Sequence, residues 1–529
     1  MKRTISILLS AALLFLMGSC KKHLDLKPIS ETSISQFYKS KYDVDAAMAG
    51  MYAAFQQVMV GDAQYKDRYH FWGEYRSDNF ERFLSYTTNL IDEIHFNKLS
   101  PDNEFSSWAG LYNVISLANN NIKYVPVAAQ LDNRLTQPII DQDLAESYAM
   151  RAMSYFYIIR NWGAAPIWTE PFESFSGDPA RPREPVRKIM DSVIIKDLEK
   201  AYSLTAKGQT PSVWTIGEGA IAAMLADVYM WKVDYPELPE KIAPDYTKAI
   251  TWISNLFKAK GPTGKVYGGT SDASLEPSAT WKNLFTAPDK SMENIWSIHW
   301  DFTKNDCACM EISWTANNKQ MIVGEELWNN YFKPYITTTP GPDIRPRQTL
   351  DVWNAYPNTN NRDRFVKWYA SPVNPTKPST SAELAVYYAK EKPVYLPMYR
   401  LAGMYLLYAE ALNGNNDLAG ALRYLNFVRK RAGVTQYLAT DAAVATKEDM
   451  ENAILQERQY ELIGEGKRWY DLVRTTKVKE VMDPVMTRRQ LAAGNPVTGF
   501  GDIRRIYWPL NRTVLNANPK LEQNKGYTD

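Results

Sequence analysis

At 529 residues the chain is long enough for one large domain, or for two to three ordinary ones, with ample core. Its 61 Lys and Arg stand against 59 Asp and Glu, a balance that sets up no field for attracting nucleic acid or an acidic membrane surface. Aromatic residues make up 13%, with 16 Trp and 33 Tyr. That is more rings than a core requires, and of the type that suits a recognition surface, because each ring offers an apolar face and a polar edge.

Lys2 and Arg3 precede an uncharged stretch over 5–17, which has the length of a signal-peptide apolar segment and is too short to span a bilayer. Gly18 and Ser19 lead into Cys20 and resemble the lipobox at which bacterial lipoproteins are cleaved and acylated. Residues 1–19 are therefore expected to be a lipoprotein signal peptide, Cys20 the lipidated residue, and 20–40 a polar tether. From residue 43 the side chains of Ala47, Met48, Met51, Tyr52, Phe55 and Met59 recur at helical spacing, with Asp43 as the expected N-cap. A second helix is expected over 102–125, with Trp108, Leu111, Tyr112, Ile115 and Ala118 on one stripe. A third over 143–161 stops at Trp162-Gly163 and Pro166, and a fourth covers 186–204.

Two Ala-rich helix pairs follow, 219–231 with 246–259 and 399–412 with 418–431. Ala at contact positions lets helices approach closely, and a pair of roughly 34 residues is the tetratricopeptide-type unit. The predicted fold is mainly all-α: one domain over 41–529, with stacked helix pairs over 41–259 and 393–529. Between them, 260–392 is dense in Gly, Pro, Asn, Thr and Trp, a loop-rich insertion expected to be variable and ligand-facing, with short strands around 295–300.

The stretch 454–474 (ILQERQYELIGEGKRWYDLVR) is predicted as one helix carrying charges of both signs among apolar residues, Arg458 reaching Glu461 and Arg468 reaching Glu465 and Asp471 on the same face. Glu457, Glu461 and Glu465 have the spacing of a carboxylate pair, but stacked on one helical face they flank nothing, which favours an ion network over glycosidase chemistry. Gly217, Gly219 and Ala222 match a loose G-x-G-x-x-A but precede an Ala-rich helix without a preceding buried strand. GPTGKVYG lacks the spacing and the Ser or Thr of a phosphate loop, and there is no G-x-S-x-G elbow. Cys307 and Cys309 are separated by one residue, and the four His form no paired motif. Asp301, Asn305 and Asp306 lack the ladder of a calcium loop. No metal or cofactor is expected.

A sugar ring presents an apolar C–H face and a rim of hydroxyls, so its site needs a flat aromatic platform flanked by Asn, Asp or Arg. Residues 71–83 have that composition, with Trp72 and Tyr75 beside Asp78, Asn79 and Arg82, although Trp72 could equally pack the base of the first helix pair. Trp300, Trp314 and Trp328 in the insertion are further candidates for ligand contact.

Five blocks carry a family resemblance: RAMSYFYIIRNWGAAP (151–166), YRLAGMYLLYAEALN (399–413), LNFVRKRAG (425–433), ERQYELIGEGKRWYDLVR (457–474) and YWPLNRTVLNANPKLEQNKGY (507–527). Together with Cys20 and the tether containing Asp25 and Pro28, they resemble the SusD/RagB family of Bacteroidota nutrient-uptake lipoproteins. No block covers 260–392, where ligand identity would be encoded. The resemblance implies an outer-membrane lipoprotein facing the cell exterior that captures oligosaccharide, or occasionally peptide, and hands it to a SusC-like TonB-dependent barrel, without catalysis. The alternatives are a cell-surface glycoside hydrolase and a peptide-binding uptake protein.

Overall fold

The computed structural model describes residues 34–61, 66–83, 89–172, 179–305, 321–334, 342–350, 362, 365–368 and 393–528. Cys20, Cys307, Cys309, Asp306 and Trp314 lie outside them. Helix α1 (Lys41–Val60) begins with a capping box: the Ser40 side chain accepts from the Asp43 amide, and the Asp43 carboxylate accepts from the Ser40 amide. The N-cap is thus Ser40, and Asp43 is its partner three residues on. The short α2 (Arg68–Gly73) and strand β1 (Phe80–Arg82) follow. The helix expected over 102–125 starts later, as α3 (Ala109–Ala129), because Asn103 caps a separate 3-10 turn at Glu104–Ser106. Helix α4 (Gln137–Trp162) stops at Gly163, whose positive φ of 75° turns the chain away.

Helix α5 (Ile195–Leu204) packs on α4 after a π-turn at Met190–Ile194. Then α6 (Glu218–Met230) pairs with α7 (Tyr246–Lys258). A Cβ on Gly219 would stand 3.1 Å from the Tyr267 ring and 3.3 Å from Leu256, so the first turn of α6 can sit this close only without a side chain. The insertion contributes one strand to each of two small antiparallel sheets. Strand β2 (Asn294–Trp300) pairs with β4 (Val394–Arg400), and β1 pairs with β3 (Met321–Val323). Strand β4 runs straight into α8 (Leu401–Gly414), which pairs with α9 (Leu418–Ala432) and also packs on α7. Helix pairs far apart in sequence therefore form one continuous scaffold across the insertion, as the Ala-rich patterns predict.

The segment 454–474 is not one helix. Helix α10 (Lys447–Leu462) and helix α11 (Arg468–Arg474) are separated by a break at which Gly464 and Gly466 take φ of 78° and 66°. Two residues in the left-handed region cannot continue an α-helix. Nor do the expected pairs form: within a helix only Arg474 meets Asp471, at 2.8 Å, among the described residues. Arg458 bonds Asp471 across the break at 2.9 Å, and Arg468 reaches Asp78 at 2.9 Å.

The buried ion lattice foreseen here is instead spun between elements. Glu461 Oε1 holds Arg400 at 2.7 Å and Arg431, and its Oε2 holds Arg345 at 3.3 Å. Glu465 holds Arg400 and Lys367 at 2.7 and 2.6 Å. Glu457 takes Arg345 and Arg429, and Glu293 takes Arg400 and Arg431. Helix α12 (Val478–Ala492) follows, Arg489 donating to the carbonyls of Phe80 and Ser77, and the short α13 (Arg512–Ala517) comes last.

Candidate ligand-binding site

The structure buries the expected platform. Trp72 is fully buried in α2, its Nε1–H donating to the Phe105 carbonyl at 2.9 Å and its ring set edge-on to Trp162. Tyr75 is equally buried, edge-on to Phe71 and Phe80. Asp78 accepts two bonds from Arg468 and one from Gln459, while Arg82 is tied to Asp92. A stacking platform needs a free ring face and unspent polar edges. Residues 71–83 have neither, so they are scaffold, the core alternative already open for Trp72. Trp300 and Trp328, at 5% and 7% exposed, are walls rather than platforms.

Half-buried rings occur together elsewhere, on the β2–β4 sheet. In the β2 sequence NIWSIHW, the side chains of Trp296, Ile298 and Trp300 share one face by the two-residue period of a strand, and Trp296 stacks on Phe55 of α1 at 5.6 Å. His299 therefore points to the opposite face, where its register partner is Tyr395 of β4. The two rings lie 5.1 Å apart.

The third ring is supplied by a segment lying along the sheet edge. The Ser297 amide donates to the Val213 carbonyl at 2.8 Å, which places Trp214 4.9 Å from His299 and 5.0 Å from Tyr395. Each of the three rings is half-buried. The Trp214 segment is pinned from below as well. The Ile216 amide donates to the Tyr52 hydroxyl at 2.8 Å, and that hydroxyl donates to Glu146 at 2.8 Å.

A polar rim adjoins the rings. Gln56 of α1 donates to the His299 carbonyl, and Asn305 donates to the Gln56 side-chain carbonyl at 3.3 Å. The Asp301 amide donates to Asn305, and the Asp301 carboxylate accepts from the Thr303 amide and hydroxyl at 2.9 and 2.7 Å. Those bonds hold the Asp301 carboxyl below its ordinary pKa, keeping it ionised at neutral pH. Burial pulls the His299 imidazole down, against the opposing pull of Asp301, so the ring is neutral at pH 7 with one N–H donor and one acceptor nitrogen. Burial raises the Tyr395 phenol, and the carboxylates of Asp289 and Asp301 add to it, so it stays protonated.

The arrangement offers apolar ring faces flanked by neutral donors and acceptors and one carboxylate. That chemistry suits a polyhydroxylated ring. The strand alternation in NIWSIHW could have marked His299 from sequence, but nothing local could have joined it to Trp214 or Tyr395, which lie 85 and 96 residues away along the chain. The carboxylates once weighed for hydrolysis are differently placed: Glu457, Glu461 and Glu465 are buried and bound to guanidinium or ammonium groups. Among the described residues no group of three or more His, Cys, Asp or Glu is arranged to hold a metal ion.

This helical scaffold has known counterparts. The model of the SusD family matches residues 255–527, just over half of the 529. The chain belongs to the SusD family. A SusD-like protein of Formosa agariphila, P38, is 28% identical over 99% of this chain and 98% of its own length. A SusD-like protein of Bacteroides ovatus is 24% identical over 89% of this chain and 82% of its own. Among solved structures, a SusD superfamily protein of Bacteroides vulgatus superimposes with a TM-score of 0.69 at 15% identity, over 93% of this chain and 100% of that one. A structure described as a putative sugar binding protein from the same species gives 0.64 at 20% identity, over 94% and 100%.

The mainly helical, tetratricopeptide-like fold is thus that of the family. SusD-family members are nutrient-binding outer-membrane lipoproteins rather than known enzymes. No helix among the described residues is long and apolar enough to cross a membrane.

Proposed function

We propose that this SusD-family chain captures oligosaccharide on the Trp214, His299 and Tyr395 rings and passes it to a SusC-like TonB-dependent barrel. Lipid on Cys20 holds it to the outer surface of the outer membrane. The observation that carries the reading is the convergence of three half-buried rings from three distant segments beside the Gln56, Asp301 and Asn305 rim. Sugar C–H faces stack on the rings, and the neutral His299, the Tyr395 hydroxyl and the rim accept and donate to hydroxyls. A few stacked rings without a deep cavity give modest affinity, a Kd of about 1 µM to 1 mM, which suits a protein that must also release.

Isothermal titration against a panel of glycans and peptides tests this. The expected result is binding of at least one glycan class without turnover. Trp214→Ala and Tyr395→Ala should each weaken it at least tenfold, an effect of about 1.4 kcal/mol or more. Wild-type affinity in both variants would remove the platform, and binding of peptides alone would remove the glycan. Co-purification of a TonB-dependent barrel in mild detergent, lost with Cys20→Ala only at the membrane step, tests delivery and anchoring separately.

A further inference from the structure

Helices α4, α6, α8, α10 and α11 and strand β4 line a partly open pocket of about 40 Å3, to which none of Trp214, His299 and Tyr395 contributes. Its wall is unusually cationic. Arg160 of α4 is 2% exposed, and its guanidinium lies over the rings of Phe156, Tyr157 and Tyr470 at 4.1, 4.5 and 4.1 Å. With its faces covered by rings, only the N–H edge is left for polar contact. Nη1 stands 3.7 Å from Asp227, while Nε and Nη2 have no hydrogen-bond partner.

Lys467, in the break before α11, is the second cation. Its Nζ donates to the Met398 carbonyl at 2.8 Å and lies 4.6 Å over the Tyr399 ring. Among the described residues no carboxylate comes within ion-pair range of it. Asp227, the carboxylate nearest these two cations, already accepts the Tyr399 hydroxyl at 2.9 Å. The remaining carboxylates of the wall are taken: Glu465 by Arg400 and Lys367, Asp471 by Arg458 and Arg474.

Two cations therefore share one distant carboxylate, and a buried guanidinium keeps two donors without acceptors. A water molecule would accept from those donors but leave the surplus positive charge in a low-dielectric site. An anion answers both needs with charge-assisted bonds. We propose that this cavity binds a small monovalent anion, with chloride as the occupant, held by Arg160 Nε and Nη2 and by Lys467 Nζ. The pocket shares no lining residue with the Trp214, His299 and Tyr395 rings, so the site is separate from the proposed nutrient capture. It would tie α4, α6, β4 and α11 together at the point where the helical scaffold meets the C-terminal third.

The test uses the purified chain with thermal unfolding in sodium chloride and in sodium gluconate at equal ionic strength. For a Kd of about 10 mM, 500 mM chloride should raise Tm by about 2 °C over gluconate, saturating with concentration and reproduced by bromide. Crystals soaked in bromide should show one anomalous peak in this cavity. Arg160→Gln and Lys467→Met should each abolish the chloride-specific shift. Lys467→Met decides the matter if the more deeply buried Arg160→Gln fails to fold. Equal Tm in chloride and gluconate, absence of the bromide peak, or a shift that survives in Lys467→Met would overturn the proposal.

Discussion

The lattice of charges around α10 and α11 and the ring platform on the β2–β4 sheet are both polar and aromatic assemblies gathered from distant parts of the chain. They differ in what is left over. In the lattice, Glu461 is surrounded by Arg345, Arg400 and Arg431, so each charge is met by another inside the protein. In the platform, Trp214, His299 and Tyr395 touch one another but keep part of their surface in water, beside a carboxylate bonded only to its own loop. Scaffold and candidate site are thus distinguished by saturation rather than by composition, and composition is what drew attention first to Trp72 and to Glu457.

The contrast is sharpest at Glu461. Burial alone would raise its pKa, but the guanidiniums of Arg431, Arg400 and Arg345 outweigh that and hold it well below the usual carboxylate range. Glu461→Gln removes the one carboxylate that the three buried guanidiniums share, leaving Arg345 to Asp343 and Glu457, Arg400 to Glu293 and Glu465, and Arg431 to Glu293. It should cost about 3–5 kcal/mol in denaturant unfolding, with glycan affinity of the folded fraction unchanged. Gly464→Ala comes next, because a Cβ there would stand 2.5 Å from the Phe365 ring on a backbone at positive φ. A loss of about 1–3 kcal/mol is expected, again without effect on affinity.

Trp214→Ala reverses the pattern: stability falls by only about 1 kcal/mol, as for loss of one half-exposed aromatic contact, while affinity drops at least tenfold. If Trp214→Ala destabilises as much as Glu461→Gln, the platform is scaffold after all.

The smallest effect lies beneath Trp214. Burial raises the Glu146 carboxyl from 4.5 to about 7, against the bonds from Gln142 and Tyr52 that favour its ionised form. Its folded pKa exceeds its unfolded one, so the folded state binds more protons between those values. Stability falls as pH rises from about 4.5 to about 7 and is level above. Glu146→Gln should flatten that slope, stabilising the protein at pH 8 relative to wild type and leaving it unchanged at pH 4, read as Tm across the pH series.

Much of the scaffold was legible in the sequence because it rests on local periodicity. Ala220, Ala222, Ala223 and Ala226 of α6 announce a close helix contact, and Trp162-Gly163 announces the end of α4. The break in 454–474 was legible too, had Gly464 and Gly466 been weighed above the apolar repeat around them. The pairing of Arg468 with Asp78 was not, since an (i, i+3) partner is visible in a sequence and a partner 390 residues away is not. The platform escaped for the same reason: its rings come from an edge segment, a strand and that strand's partner, and their meeting is a property of the sheet. Residues 71–83 misled because a Trp that stacks on sugar and a Trp that fills a core have the same neighbours in sequence.

The long reach of Arg468 has a consequence for how the chain is made. Arg76 donates to the carbonyls of Arg505 and Ile506, Asn97 to that of Phe500, and Arg489 to that of Phe80, so Arg76, Phe80 and Asn97 are tied to the last forty or so residues. Those bonds can form only when synthesis is almost complete, and contacts of such sequence separation make folding slow and late.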